Sequence, residues 1–117
     1  PGQWRSALQR WTRWNRRFRR DVDGQPAPGR NDEWLFYQTL VGVWPAVTPA
    51  PDERRRLIDR LQNYMEKATR EAKLRTSWIS PNSLYDEAVR AFVAGVLEDE
   101  DGRFTTDVQA FNDAILD

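Results

Sequence analysis

Apolar residues recur every three to four positions through almost every long segment of this chain, and none shows the strict alternation of a half-buried strand. Prolines interrupt this pattern at positions 26, 28, 45, 49, 51 and 81. A proline lacks a backbone donor and restricts the residue before it, so helices end or begin near it. The sequence therefore predicts an all-α fold, a small bundle of about five helices joined by proline-rich connectors.

The apolar period places the helices of a single helical unit, 1–117, at about 3–20, 32–44, 51–74, 82–98 and 105–116. Asn31 or Asp32 is the expected cap of the second helix. Apolar residues cover more than one face of that helix, so we expect it to be the most buried. Tyr64 and Ile115 fall on the inward stripes of the third and fifth helices. Residues 21–29 hold two Gly and two Pro, which indicates an irregular connector.

The residue types that the chain lacks narrow its possible chemistry. There is no His and no Cys among the 117 residues. This excludes a disulfide framework, a thiol nucleophile, a Cys-based zinc site, a serine-type triad and an imidazole base. Carboxylates are plentiful, but most stand in pairs at predicted helix starts, where the helix dipole already accounts for them. A carboxylate active site made wholly from this chain is therefore not expected.

No apolar run approaches the roughly 18–20 residues of a membrane span, and no signal-peptide pattern opens the chain. We therefore expect a cytoplasmic protein without a membrane partner. The chain begins at Pro1 without an initiator Met, which suggests a piece of a longer protein.

The zero net charge conceals two oppositely charged ends. Residues 1–30 carry a net charge of +6, and residues 84–117 carry a net charge of −7. The two ends could attract each other in a compact fold or face different neighbours. Domains that bind nucleic acid typically carry a net positive charge, so we expect no nucleic-acid partner for this chain.

Arginines and tryptophans alternate in the first helix, in residues 11–20 (WTRWNRRFRR). Arginines can neutralise phosphates and aromatic rings can stack on bases, so one hypothesis is a free-standing helical interaction or nucleic-acid-binding module. The aromatic residues, however, share one helical stripe and the arginines mostly lie off it. That arrangement is typical of a helix that packs its aromatic stripe in a core and presents a basic outer face, and we favour this interpretation.

Residues 67–78 (KATREAKLRTSW) carry charges at helical spacing and end in a polar break that holds Trp78. The charges alone are compatible with surface ion pairs. A tryptophan among hydrogen-bonding groups can stack on the apolar face of a sugar, but it can equally fill the gap between two helices. Both interpretations remain open at this point.

Three segments, in order and at matching spacing, resemble the maltooligosyltrehalose synthases, a family of α-amylase-like enzymes. They are residues 30–45 (RNDEWLFYQTLVGVWP), residues 64–78 (YMEKATREAKLRTSW) and Pro81-Asn82. The opening residues 11–17 (WTRWNRR) and the later Phe92-Val93 also fit. The resemblance covers nearly the whole chain and is far more specific than a single short motif. One departure is Arg75, where members of the family often have His.

The resemblance implies a parent enzyme with a (β/α)8 barrel, inserted helical subdomains and a C-terminal β domain. Such an enzyme is an intramolecular glucosyltransferase of trehalose biosynthesis, and it needs no metal or organic cofactor. It converts the reducing-end α-1,4 bond of a maltooligosaccharide to an α,α-1,1 bond. The chain would then be a subdomain excised from the larger enzyme. Its implied partners are the maltooligosaccharide and the missing barrel domain of the same chain.

The resemblance also implies that no catalytic residue lies in this chain. The family's three catalytic carboxylates lie upstream, the last in a His-Asp-Thr-Lys-Arg segment that has no counterpart here. We expect the chain alone to be inert and, in its parent, to wall or lid the substrate cleft. The candidate contacts with substrate or barrel are Arg30, Asn31, Asp32, Glu33, Arg70, Lys73, Arg75, Ser77, Trp78 and Asn82.

Overall fold

The computed structural model describes residues 2–76 and 83–116, leaving aside the side chains of residues 73–76 and 116. The described residues form five α-helices, a short 3-10 helix and one two-stranded sheet, which confirms the predicted all-α class. In chain order these are α1 (Gly2–Asn15), the 3-10 helix (Arg16–Phe18), β1 (Arg20–Val22), β2 (Gln25–Ala27), α2 (Arg30–Val43), α3 (Pro51–Thr76), α4 (Ser83–Glu98) and α5 (Arg103–Leu116).

The predicted irregular connector over residues 21–29 is wrong, because most of it is a β-hairpin. Strands β1 and β2 pair antiparallel, with Val22 opposite Gln25. The two residues between them both have positive φ, +54° at Asp23 and +80° at Gly24. This pairing of Asp with Gly suits the tight turns whose twist matches that of a hairpin. The backbone N–H of Gly24 also donates to the Asp21 carboxylate at 2.8 Å.

Helix α1 ends at Asn15, five residues before the predicted end at residue 20. Asn15 leaves the helical conformation, with φ of −95° and ψ of 1°, and the chain tightens into the 3-10 helix. The buried side chain of Asn15 donates to the Tyr37 hydroxyl at 3.2 Å. The tighter winding brings the ring of Phe18 against Gly95 of α4, where a Cβ would lie only 2.6 Å from Phe18 Cδ1. A tertiary contact thus overrides the helical pattern here.

Helix α4, not α2, buries the most residues, so the expectation for α2 is wrong. Seven residues of α4 are buried against four of α2. The reason is position: α4 contacts α3, α5, the 3-10 helix and both strands, whereas α2 packs mainly on α1 and α3. Tyr64 and Ile115 also depart from their predicted inward positions, since they are 48% and 56% exposed. In α3 the buried stripe runs instead along Leu57, Leu61 and Met65.

The centre of the core is Trp11 of α1, which is fully buried. Its ring lies 5.6 Å from the rings of Tyr37 and Phe104 and 5.7 Å from that of Phe111, centroid to centroid. These edge-to-face arrangements are the favourable ones for aromatic pairs. The aromatic stripe of α1 is therefore part of the core, as its helical spacing predicts.

The oppositely charged ends of the sequence attract each other in the fold. Arg10 donates to Asp107 of α5, with Nη2 2.8 Å from Oδ2. Arg17 forms an ion pair with Asp99, in the turn before α5. The carboxylate of Asp107 also accepts from Trp11 Nε1 at 2.7 Å, which ties α5 to the centre of the core. No helix in the described part of the chain has the length and apolar character needed to cross a bilayer.

Candidate functional site

The first turn of α2 carries the first group of predicted site residues. The predicted side-chain cap at Asn31 or Asp32 is wrong: the capping residue is Gly29, which makes no side-chain cap bond. The backbone N–H of Gly29 is bound instead by the Tyr85 hydroxyl of α4, at 2.8 Å. The start of α2 is therefore held by a neighbouring helix rather than by its own side chains.

Tyr85 joins the start of α2 to the start of α4. Its hydroxyl donates to the carboxylate of Asp32 while accepting from Gly29. Burial of the ring, followed by the hydrogen bond to Asp32, raises the pKa of Tyr85 above its ordinary value. The hydroxyl therefore keeps its proton, and Asp32 is fixed in one orientation.

The residue that follows Tyr85 binds Arg70, the first residue of the second group of predicted site residues. Asp86 accepts from Arg70 of α3, at 3.0 Å from Nε and 2.9 Å from Nη2. The hydrogen bond and the charge of Asp86 raise the pKa of Arg70. Glu66 extends the network, since its carboxylate lies 3.6 Å from both Arg70 and Arg90. Tyr85 and Asp86, consecutive residues of α4, thus hold Asp32 and Arg70, respectively. We call these two pairs the α4-start cluster: Asp32, Arg70, Tyr85 and Asp86.

Arg30 and Glu33 belong to a different surface, on the side of α2 that faces α1. The guanidinium of Arg30 stacks on the ring of Trp34, 4.6 Å from its centroid. Glu33 points inward and is only 1% exposed. Its Oε1 lies 3.7 Å from Arg19 Nη1, and its Oε2 accepts from the Tyr37 hydroxyl at 2.5 Å. The structure therefore divides the predicted stretch 30–33 between two sites.

The pKa of Glu33 is raised above 4.5, chiefly by burial, although the Tyr37 hydrogen bond and the charges of Arg19 and Arg16 act in the opposite direction. The Tyr37 hydroxyl lies 3.2 Å from the Trp11 carbonyl as well as close to Glu33. One hydroxyl proton can serve only one of these acceptors at a time. A protonated Glu33 can donate to Tyr37, which frees the Tyr37 proton for the carbonyl. The geometry therefore accommodates both protonation states of Glu33.

Glu33 and Trp34 stand beside a groove of about 600 Å³ between α1 and the start of α2. Five arginines line this arginine groove: Arg5, Arg13, Arg16, Arg19 and Arg30. Two polar atoms of residues that line it, Thr12 Oγ1 and Arg19 Nε, are buried beneath its surface and have no hydrogen-bond partner among the described residues. The groove therefore concentrates positive charge in one place.

For the remaining predicted site residues, the structure describes few or no side-chain contacts. Asn31 is exposed at the surface of the first turn of α2. The side chains of Lys73 and Arg75 lie outside the described residues, as do Ser77, Trp78 and Asn82. Where they stand relative to the α4-start cluster stays a prediction.

Sequence reasoning missed the residues that organise both sites. Tyr85 and Asp86 are not among the predicted site residues, yet they hold Asp32 and Arg70. Nothing local in the sequence signals those pairs, because the partners are 53 and 16 residues apart. The contact of Glu33 with Tyr37 did have a signal, since residues four apart share a helix face.

The tryptophans of α1 are not arranged as a surface for base stacking. Trp11 is fully buried. Trp14 is partly buried, and the guanidinium of Arg103 lies over its ring at 4.4 Å. The observation that would have favoured a nucleic-acid module, solvent-facing rings at both positions, is thus absent at Trp11. Among the described residues, no group of three or more acidic side chains is arranged to hold a metal ion.

Comparison with known proteins gives two curated relatives, both from Mycobacterium tuberculosis, strains CDC 1551 / Oshkosh and ATCC 25618 / H37Rv. Each bears the name "Putative maltooligosyl trehalose synthase". The chain is 36% identical to each over 73 residues, which is 62% of this chain and 9% of the relative. The chain thus spans under a tenth of the length of these relatives. No family model matches it, and no solved structure is significantly similar. The comparisons support a partial and distant link to proteins of that name.

Proposed function

We propose that this chain is a helical part of an enzyme that forms maltooligosyltrehalose and that its α4-start cluster lines the sugar site. The proposal is carried by the 36% identity over 73 residues to two proteins named as synthases of this product. The same link agrees with the resemblance of residues 30–45 and 64–78 to that family.

The α4-start cluster has the composition that a sugar site needs. It presents two carboxylates, a guanidinium and a phenol, each held by a partner on another helix. Binding sites for small polar ligands depend on a few such groups at fixed positions. Arg70 is exposed, so part of its hydrogen-bonding capacity remains open to a ligand. Sugar hydroxyls can accept from Arg70, which the buried carboxylate of Asp86 holds in place.

The chain supplies binding groups rather than the chemistry of glycosyl transfer. Retaining glycoside chemistry uses two carboxyl groups about 5–5.5 Å apart, one as nucleophile and one as acid. In the arginine groove the described residues include a single carboxylate, Glu33. In the α4-start cluster, Asp32 and Asp86 are both engaged, by Tyr85 and Arg70. In its parent, the chain would wall or lid the cleft and exclude water, so that the sugar itself captures the glycosyl group.

The proposal is tested by assaying maltopentaose conversion with the 117-residue chain and with the longer gene product that carries it. We expect the longer protein to remove reducing ends and form the α,α-1,1 linkage, detected by NMR, while the chain alone does neither. A longer protein that leaves reducing ends untouched would overturn the proposed function. Product formation by the chain alone would overturn its inert role.

The role of the α4-start cluster is tested in the same longer protein. Substituting Asp86→Asn or Arg70→Gln is expected to raise KM for maltopentaose about tenfold, since one well-placed polar contact contributes on that scale. Arg56→Gln, at an exposed position of α3, is the matched control and should leave KM unchanged. Unchanged KM in both cluster variants would remove the cluster from the sugar site.

A further inference from the structure

The arginines of α1 and the 3-10 helix fall into two sets according to the face they occupy. On the face toward α5, Arg10 and Arg17 are paired with Asp107 and Asp99. On the face toward α2, Arg5, Arg13 and Arg16 have no carboxylate within 4 Å in the described part of the chain. Intramolecular pairing thus accounts for the arginines of one face and leaves those of the other with Glu33 as the single carboxylate among the described residues that line it.

The unpaired face is the wall of the arginine groove, where Arg19 and Arg30 add two further positive charges. The single carboxylate that lines the groove, Glu33, is already shared by Arg19 and Tyr37. Like charges brought together without counter-charges repel one another and disfavour the folded state. A bound anion would relieve that repulsion.

The size and chemistry of the groove define the kind of anion. Its volume of about 600 Å³ suits a small molecule rather than a single ion. Guanidinium groups match the oxygens of phosphate in charge and in bidentate geometry. A neutral sugar could offer hydrogen bonds but would leave the positive charge uncompensated. The ring of Trp34, moreover, is already covered by Arg30.

We propose that the arginine groove binds a small phosphate-bearing anion, held by Arg5, Arg13 and Arg16. The phosphate could be inorganic or an ester carried by a small metabolite, and the two share this recognition chemistry. The site is separate from the α4-start cluster and does not depend on the proposed function.

The test is a titration of the 117-residue chain with inorganic phosphate, pyrophosphate and glucose 1-phosphate at constant ionic strength, followed by amide chemical shifts in NMR. We expect saturable shifts at the start of α2 and along α1. Arg13→Gln and Arg16→Gln should each weaken binding about tenfold, because each removes a charged hydrogen-bond donor. Arg56→Gln, which removes the same charge from an exposed position on α3, is the control and should leave the affinity unchanged.

The outcomes separate the sources and the alternatives. Tighter binding of glucose 1-phosphate than of phosphate would identify an ester as the ligand, and equal binding would identify the phosphate group alone. The absence of saturation, or equal weakening by Arg56→Gln, would overturn the proposal. A further arm uses a DNA duplex. Salt-sensitive duplex binding without saturation by any of the three small anions would also overturn it, in favour of a nucleic-acid surface.

Discussion

The hydroxyl of Tyr37 is the most informative atom to remove from this protein. It lies in the core, 2.5 Å from Glu33 Oε2 and 3.2 Å from both the Trp11 carbonyl and Asn15 Nδ2. Substituting Tyr37→Phe keeps the ring, which is fully buried, and deletes only the hydroxyl. The perturbation therefore measures the buried polar network with almost no change in packing.

The expected loss follows from the partners left behind. A hydrogen bond to a charged group contributes about 1.5–3 kcal/mol and one to a neutral group about 1 kcal/mol. Removing the hydroxyl leaves the buried Glu33 carboxylate and the buried Asn15 amide without this partner. We therefore expect Tyr37→Phe to lower the free energy of unfolding by about 3 kcal/mol at pH 7, or about 10 °C in Tm.

The loss should depend on pH in a defined direction. Because the pKa of Glu33 is raised, the folded state binds this proton more tightly than the unfolded state, and stability falls as pH rises through the raised pKa. The Tyr37 hydrogen bond lowers that pKa, so deleting the hydroxyl raises the pKa of Glu33 further. The free energy of unfolding that is lost when Glu33 ionises then becomes larger. The effect of Tyr37→Phe should thus be larger at pH 7 than at pH 4.

The assay is urea unfolding followed by far-UV circular dichroism at both pH values. Tyr64→Phe is the matched control, because the Tyr64 ring is 48% exposed, and it should change stability by less than about 0.5 kcal/mol. A Tyr37→Phe loss no larger than that of the control, or one that shrinks from pH 4 to pH 7, would refute the reasoning.

Three further substitutions test other contacts. Gly95→Ala would set a methyl group 2.6 Å from Phe18, so a net loss of about 1 kcal/mol is expected on thermal unfolding despite better helix propensity; a higher Tm would contradict this. Asp107→Ala deletes the acceptor of Trp11 Nε1 and should lower the free energy of urea unfolding by about 1–3 kcal/mol, whereas an unchanged midpoint would contradict it. Glu33→Gln removes a buried charge, so its stability relative to the parent should increase between pH 4 and pH 8, and a pH-independent difference would rule that out.

The helices could be predicted from sequence because each buries one stripe of apolar residues at helical spacing. The hairpin could not be found in that way, since strands of three residues are too short to show alternation. Its signal is the dipeptide Asp23-Gly24, which adopts the two positive φ values that a tight hairpin turn requires. Local turn chemistry was thus the missing evidence.

The candidate site was predictable only in part, because its organisation is tertiary. The sequence resemblance selects Asp32 and Arg70, but the pairing of these residues with Tyr85 and Asp86 depends on how α4 packs. The arginine groove likewise arises because Arg30 of α2 faces arginines of α1 across a gap. The sequence pattern shows that α1 has a basic face, but it does not show which arginines form ion pairs with carboxylates.

The packing of α1 on α5 has a consequence for the order in which the molecule can assemble. Trp11 and its partner Asp107 are 96 residues apart in the chain, so the contact closes almost the whole sequence into one loop. Such distant contacts form late, and on the ribosome α1 emerges well before the helix that covers it. Until then the part of its aromatic stripe that α5 covers is open to other chains. A protein cut short before residue 103 would therefore keep much of its helix content and still aggregate.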